Sequence, residues 1–374
     1  MPIKVGIVGA RGASSLMGFR SMPGVEVAAI CDIDENILNE LAEKNNIPHK
    51  FRVYEDMLDS DIDAVWVSTP MQLHVPQSIQ ALMAGKHVMS EVTAGVTMDE
   101  LWWLIETVEK TGKVYMLAEN YCYTPQVQMI SNMVQQGLFG EVYFGEGEYI
   151  HEVKGMLKKD SYYWRNYWQL GKRGVFYPTH SLGPVMKWFG NERIKSVSCF
   201  GSGWHTAPDI RQEDTSLAIC QTESGKLIKI RVDCISERPH NMTGYSLQGT
   251  KGCYESSRSW QSPDLVWFEG MLEPEEDRHF KSLMDFPQFL PERYKNATEE
   301  QKNTGHWGGD FFIVQDFIET IKSGGKPPID VYEACEWTAV GLLSELSVTN
   351  NGRTMDMPDF RKSKKFNEQI INLR

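Results

Sequence analysis

Over the first 120 residues, short runs rich in Val, Ile and Ala alternate with helix-length amphipathic segments, as in a parallel sheet joined by crossover helices. Strands are predicted at 4–8, 25–31, 64–68, 87–90 and 114–118. After Gly95 the chain reads Thr97-x-x-Glu100, a capping box in which each side chain satisfies the other residue's free amide, so a helix is predicted from there to Gly112. Beyond Asn120 the rhythm changes. One helix-like stretch (126–136) ends at Gly137-Leu138-Phe139-Gly140, and longer alternating runs follow at 141–148, 196–201, 215–222 and 227–234. Such alternation predicts a mostly antiparallel sheet with one face on a core. Asp330 with Glu333 three residues on predicts the start of a late helix. Residues 255–305, rich in Pro, Glu and Lys, read as a long excursion or lid. The expected class is α/β: a doubly wound sheet in residues 1–120, then an α+β domain in 121–374.

Length agrees, since 374 residues exceed one domain of roughly 100–200. The net charge of -12 has the wrong sign for gripping a polyanion, so no nucleic-acid partner is expected. No apolar stretch approaches the roughly 18 residues of a membrane span, and Met1-Pro2-Ile3-Lys4 runs straight into the first strand with nothing to cleave or anchor. Seven scattered cysteines without a C-x-x-C pair suggest neither a disulfide framework nor a zinc cluster. No other His, Cys or carboxylate set has metal-ligand spacing, so no metal is expected, and a cytoplasmic location fits best.

The first strand leads into Gly6-Ile7-Val8-Gly9-Ala10-Arg11-Gly12-Ala13, a glycine turn before a helix, where the backbone can approach a pyrophosphate. Read from Gly9, a strict G-x-G-x-x-G has Arg11 and Ser14 in place of its second and third glycines. Asp32 lies 23 residues after Gly9 at the end of the next strand, where a carboxylate can accept the ribose 2′-hydroxyl. The two together point to a Rossmann dinucleotide site. Asp32 repels a 2′-phosphate and favours NAD, whereas Arg11 would favour NADP. The alternative for Asp32 is the N-cap of the following helix.

Ser68-Thr69-Pro70, His74 and Ala84-Gly85-Lys86-His87-Val88-Met89-Ser90-Glu91 follow. This series resembles the Gfo/Idh/MocA family of nicotinamide-dependent sugar oxidoreductases. The resemblance implies that Ser68, Thr69, His74, Glu91 and Asn120 serve the cofactor site with Gly9, Ala10, Arg11, Gly12, Ala13 and Asp32. The lysine that most members use for proton transfer is Val92 here, and the proline after it is Thr93. Further on, His180 is kept while Phe176 stands where many members have an Asp.

Tyr177-Pro178-Thr179-His180-x-Leu182-Gly183-Pro184, Glu91-Val92-x-Ala94 and Leu117-x-Glu119-Asn120-x-Cys122-Tyr123 are similar to the NAD-dependent glycoside hydrolase branch typified by bacterial α-N-acetylgalactosaminidases. That resemblance implies hydrolysis through a hydride loan: C3 of the sugar is oxidised, a base removes the acidified C2 proton, the aglycone leaves C1, water adds and C3 is reduced again. Such chemistry needs bases for two different protons and no flanking carboxylate pair. By matching position, His180 is assigned to the C3 hydroxyl, Tyr149 to the C2 proton, and Glu119 and Tyr177 to orienting the sugar. Each has a structural alternative as a satisfied buried residue. His306 and Asp310 either line the site or bridge helix ends.

Tyr162, Tyr163, Trp164, Tyr167 and Trp168, with Arg165, Lys172 and Arg173 nearby, suit either the apolar face of a sugar bearing an anionic group or the core of an interface or lid. Two rival functions stand beside the hydrolase: a plain NAD-dependent sugar dehydrogenase that releases NADH, and a non-catalytic NAD-binding regulator. The expected partner is a small-molecule glycoside or sugar, and a homodimer or homotetramer is expected through the second domain's sheet.

Overall fold

The computed structural model describes residues 1–9, 13–159, 164–168, 171–210, 212–259, 261–271, 279–362 and 364, with the side chains of Ala13, Ser14, Lys158, Lys159, Tyr167 and Trp168 excepted. Ala10, Arg11, Gly12, Tyr162 and Tyr163 lie outside the described residues. The chain packs as two units. The first comprises Met1–Tyr123, Ala297–Thr338 and the stretch from Asp359; the second comprises Thr124–Asn296 and Ala339–Pro358. The first unit therefore takes in two late stretches that a division at residue 120 leaves to the second.

The first unit is built on β1 (Ile3–Val8), β2 (Val25–Cys31), β3 (His49–Phe51), β4 (Ala64–Val67), β5 (His87–Ser90) and β6 (Tyr115–Leu117). Their order is β3-β2-β1-β4-β5-β6 and every pairing is parallel. This is the doubly wound Rossmann order, whose direction reverses between β1 and β4 and opens a ligand site at their carboxyl ends. Val5, Ile7, Ala29, Ile30, Val65, Val67 and Val88 are buried, as parallel strands covered on both faces require. The capping box forms as predicted: Thr97 accepts from the Glu100 amide, Glu100 reaches back to the cap, and helix Met98–Thr111 ends on Gly112 in the left-handed region. Asp330 and Glu333 make the same reciprocal contacts at the start of helix Val331–Thr349.

The second unit carries β7 (Val142–Ile150), β8 (Ile194–Gly201), β9 (Ser216–Thr222), β10 (Leu227–Asp233), β11 (Asn241–Gly249), β12 (Gly252–Glu255), β13 (Leu265–Phe268), β14 (Lys281–Ser282) and β15 (Met355–Asp356). They form one sheet in the order β14-β13-β12-β11-β7-β10-β9-β8-β15, antiparallel except for the β7–β10 pair. Residues 255–305 are thus not one excursion. Among its described residues this stretch supplies β13 and β14 and the short helices Glu292–Lys295 and Glu299–Lys302.

Helix Thr179–Trp188 lies on β7, and Gly145-Glu146-Gly147 permits the contact. A Cβ on Gly147 would overlap the Ser181 carbonyl, and one on Gly145 would sit 2.5 Å from Val185 Cγ1. Gly147→Ala should therefore cost about 3 kcal/mol, because backbone rather than a flexible side chain must move. Denaturant unfolding checks this, and a loss within error of zero would contradict the close approach.

Candidate functional site

Of the residues assigned above to the cofactor, Gly9, Asp32, Ser68, Thr69 and Glu91 lie at the carboxyl ends of β1, β2, β4 and β5. Gly9 follows β1 with φ of 97°, and a Cβ there would lie 2.8 Å from the Ser68 carbonyl and the Thr69 nitrogen. Only glycine fits so tight a passage in that conformation. Ser68 is buried after β4, and its hydroxyl donates to the carbonyls of Val8 and Gly9, each at 3.0 Å. Asp32 is half-buried at the end of β2 and accepts from the Asp34 amide at 2.9 Å. The N-cap of helix Glu35–Asn45 is Asp34, which accepts from Asn36 and Ile37, so the capping alternative for Asp32 falls to its neighbour.

Thr69 donates to Gln77 at 2.5 Å. His74 is buried, with Nδ1 2.7 Å from the Thr93 carbonyl and Nε2 2.8 Å from the Thr69 carbonyl. Burial draws its pKa below the ordinary value although both carbonyls pull upward. Its ring is committed to main chain and fastens the loop after β4 to the loop after β5. Glu91 is half-buried after β5, its amide donating to the Val67 carbonyl at 2.9 Å.

Glu119 and Asn120 are buried beyond β6. Glu119 accepts from the Tyr121 amide at 3.2 Å. The Asn120 amide nitrogen is 3.1 Å from His306 Nδ1, which in turn is 2.9 Å from Asp310 Oδ1. His306 and Trp307 both hold left-handed backbone, φ 53° and 56°, ahead of helix Gly309–Ser323. Such conformations cost roughly 1–3 kcal/mol each in a non-glycine residue and persist where the surroundings over-determine them. His306 and Asp310 thus bridge a helix start to the Asn120 turn.

Burial opposes charge on His306, but the hydrogen bond and charge of Asp310, with Glu91 and Glu119 behind them, hold its pKa above the ordinary 6.5. A histidine raised in the folded state stabilises fully below its unfolded pKa and loses that contribution as pH climbs through the folded value. His306→Gln should accordingly cost most stability below pH 6.5 and progressively less above it. Unfolding curves on both sides of that pH check this; a pH-independent penalty would contradict it.

In the second unit, β7 presents Tyr149 and helix Thr179–Trp188 presents His180, both buried, beside half-buried Tyr177. Their rings pack mutually, with centroids 5.0 Å apart for Tyr149–His180 and Tyr177–His180 and 5.6 Å for Tyr149–Tyr177. Tyr245 on β11 donates its hydroxyl to the His180 carbonyl at 2.6 Å. The approach to Tyr177 is pinned from behind. Glu213, buried, accepts from Arg173 and from the Gly174 amide, and the Val175 amide donates to Ser344. Arg173 is therefore paired, and Lys172 meets Glu345 at 3.4 Å. Arg165 lies 4.2 Å over the Trp164 ring. The sequence reading missed Tyr245, His151 and His240. His151 follows Tyr149 by two residues, one residue past the end of β7.

Residues 123–206 and 205–367 match the glycosyl hydrolase 109 C-terminal domain, and residues 3–119 match the oxidoreductase family's NAD-binding Rossmann fold. A glycosyl hydrolase family 109 protein of Saccharopolyspora erythraea is 31% identical, over 97% of this chain and 84% of that protein. The chain belongs to glycosyl hydrolase family 109. Another relative of this family 109 member, an alpha-N-acetylgalactosaminidase of Shewanella oneidensis, is 29% identical over 96% of the chain and 85% of its own length. A solved levoglucosan dehydrogenase in complex with NADH shares the fold, with a TM-score of 0.84 over 96% of the family 109 chain and 100% of its own, at 18% identity. Residues 3–119 are thus an NAD-binding Rossmann domain, and the second unit of this family 109 protein carries the mostly antiparallel sheet expected of it.

Proposed function

We propose that this family 109 chain is an NAD-dependent glycoside hydrolase acting by transient oxidation at the sugar C3, elimination across C1 and C2, addition of water and re-reduction. The packed rings of Tyr149, Tyr177 and His180 carry this reading, because they supply two separate proton-transfer groups and no flanking carboxylate pair. NAD supplies the hydride acceptor for C3 and, at the end, the hydride donor. One feature favours its fit: the buried Asn120 side-chain oxygen, which meets no protein donor among the described residues. The glycine turn from Gly9 through Ala13 would approach the pyrophosphate and Asp32 the ribose, with Ser68, Thr69, Glu91 and Asn120 beside them and His74 shaping the loops.

His180 takes the proton of the C3 hydroxyl and returns it. Tyr149 removes the C2 proton, which the neighbouring ketone has acidified, and Glu119 and Tyr177 orient the sugar. The same reading gives the cofactor to residues 1–120, and substrate and assembly to 121–374 less the late stretches that pack with the first unit, in a cytoplasmic protein acting on a small glycoside. Among the described residues no helix is long and apolar enough to cross a membrane.

Incubation with NAD and a panel of aryl glycosides, beginning with p-nitrophenyl α-N-acetylgalactosaminide, tests the reading. Aglycone release without net NADH is expected. Accumulating NADH with free sugar would make the chain a plain dehydrogenase, and neither product would favour a regulator. Calorimetric titration should favour NAD over NADP; equal or tighter NADP binding would remove the role given to Asp32.

Assembly has a separate support. On one face of the second unit's sheet Phe200 pairs with Leu217 across β8 and β9, and Ile219 and Leu227 stand exposed on the same strands and β10. An apolar sheet face of this kind favours a homodimer, or a homotetramer containing it. Light scattering should give at least twice 42.7 kDa, and a monomer at micromolar concentration would refute the assembly.

A further inference from the structure

Tyr149 is an awkward base. A tyrosine hydroxyl that carries its proton accepts another from C2 only if its own proton has somewhere to go. The structure puts an imidazole there. Tyr149 Oη is 2.9 Å from His151 Nδ1, and the two rings meet edge to face with centroids 5.6 Å apart. His151 stands one residue past the end of β7, and its amide donates to the Asp233 carbonyl at 2.9 Å, which ties it to the end of β10. His151 is half-buried, and its ring lies 5.0 Å from that of His240, which is exposed. A line of groups therefore runs from a buried phenol through a half-buried imidazole to an exposed one.

We propose that His151 is a positioning residue that receives the phenolic proton of Tyr149 while Tyr149 takes the proton from C2, and that it exchanges the received proton with solvent on its His240 side. The proposal rests on the role given above to Tyr149. The bookkeeping closes. The phenolic O–H bond breaks towards Nδ1 as a new O–H bond forms with the C2 proton. The C2–H electron pair becomes the second C1–C2 bond, and the C1–O pair leaves with the aglycone, which takes a proton from water. When water later adds at C1 it gives up a proton to the hydroxide left when the aglycone was protonated, while Tyr149 returns a proton to C2 and the imidazolium replaces it. His151 must then accept through Nδ1, with the ring proton on Nε2.

Nitrogen-15 NMR of the histidine-labelled full-length protein tests this without any substrate. His151→Gln identifies the resonance. The expected result is an unprotonated Nδ1 whose shift moves in Tyr149→Phe while Nε2 stays nearly fixed. A protonated Nδ1, or one indifferent to Tyr149→Phe, would overturn the proposal. With the aryl glycoside turned over best, His151→Gln should lower kcat about a hundredfold with KM little changed, because Gln accepts the hydrogen bond but holds no proton. Deuterium entry at C2 in D2O should fall with it. Added imidazole should restore much of the activity of His151→Ala, which a packing role would not allow. Full activity of His151→Gln overturns the relay alone, whereas full activity of Tyr149→Phe in the same assay overturns the reading of Tyr149 beneath it.

Discussion

Replacing His180 by alanine is expected to lower kcat about a thousandfold or more and to leave NAD affinity nearly unchanged. His180 is held in every direction: its helix rests on Gly145 and Gly147 of β7, its carbonyl accepts from Tyr245, and its ring packs on Tyr149 and Tyr177. In the role proposed for it, a group so placed would give its rate through position. The loss should fall at the first chemical step, so no reduced nicotinamide should form in a single turnover. Calorimetry for NAD and stopped-flow absorbance for turnover separate the two halves of the prediction. Near-normal turnover would end the assignment.

Tyr149→Phe should also abolish turnover, at a different point. The phenyl ring preserves the packing against Tyr177 and His180, which at 5.0–5.6 Å between centroids depends on the ring and not on the hydroxyl. Under the proposed mechanism, removal of Oη should leave C3 oxidation possible and block C2 deprotonation, a loss of about a hundred- to ten-thousandfold in overall rate. The variant should therefore stall after the first step, with reduced nicotinamide visible in its near-ultraviolet absorbance and aglycone unreleased. Aglycone release at the wild-type rate would show that another group removes the C2 proton. The contrast between the two variants tests the division of labour: one stops before the hydride moves and the other after.

The parallel sheet was legible because its strands are buried on both faces and leave apolar runs. The stretches 25–31 and 87–90 coincide with β2 and β5 residue for residue. β3 escaped because three residues, His49-Lys50-Phe51, show neither a run nor an alternation. β13 and β14 escaped for a related reason, being short strands at one end of the sheet in a segment whose composition reads as loop. Around the candidate site, Gly9 and Asp32 were legible by type and spacing, whereas Glu119, Tyr149 and His180 were assigned only by position in the motifs that carry the family resemblance. Asp34 took the cap that Asp32 was offered, a choice between two acids two residues apart that only backbone geometry makes. The left-handed turn at His306 and Trp307 carries no sequence signal, since glycine is the residue that normally marks it.

The central claim, that oxidation at C3 is borrowed and repaid within one turnover, is tested most directly by hydrolysing a glycoside deuterated at C3, and its unlabelled form in D2O, and reading the released sugar by NMR and mass spectrometry. The account predicts that the C3 deuterium returns to C3 and that turnover in D2O places deuterium at C2. Loss of the C3 label into free NADH would contradict it in favour of a dehydrogenase. A product with an untouched C2 hydrogen, at every pH and after many turnovers, would contradict it in favour of direct displacement.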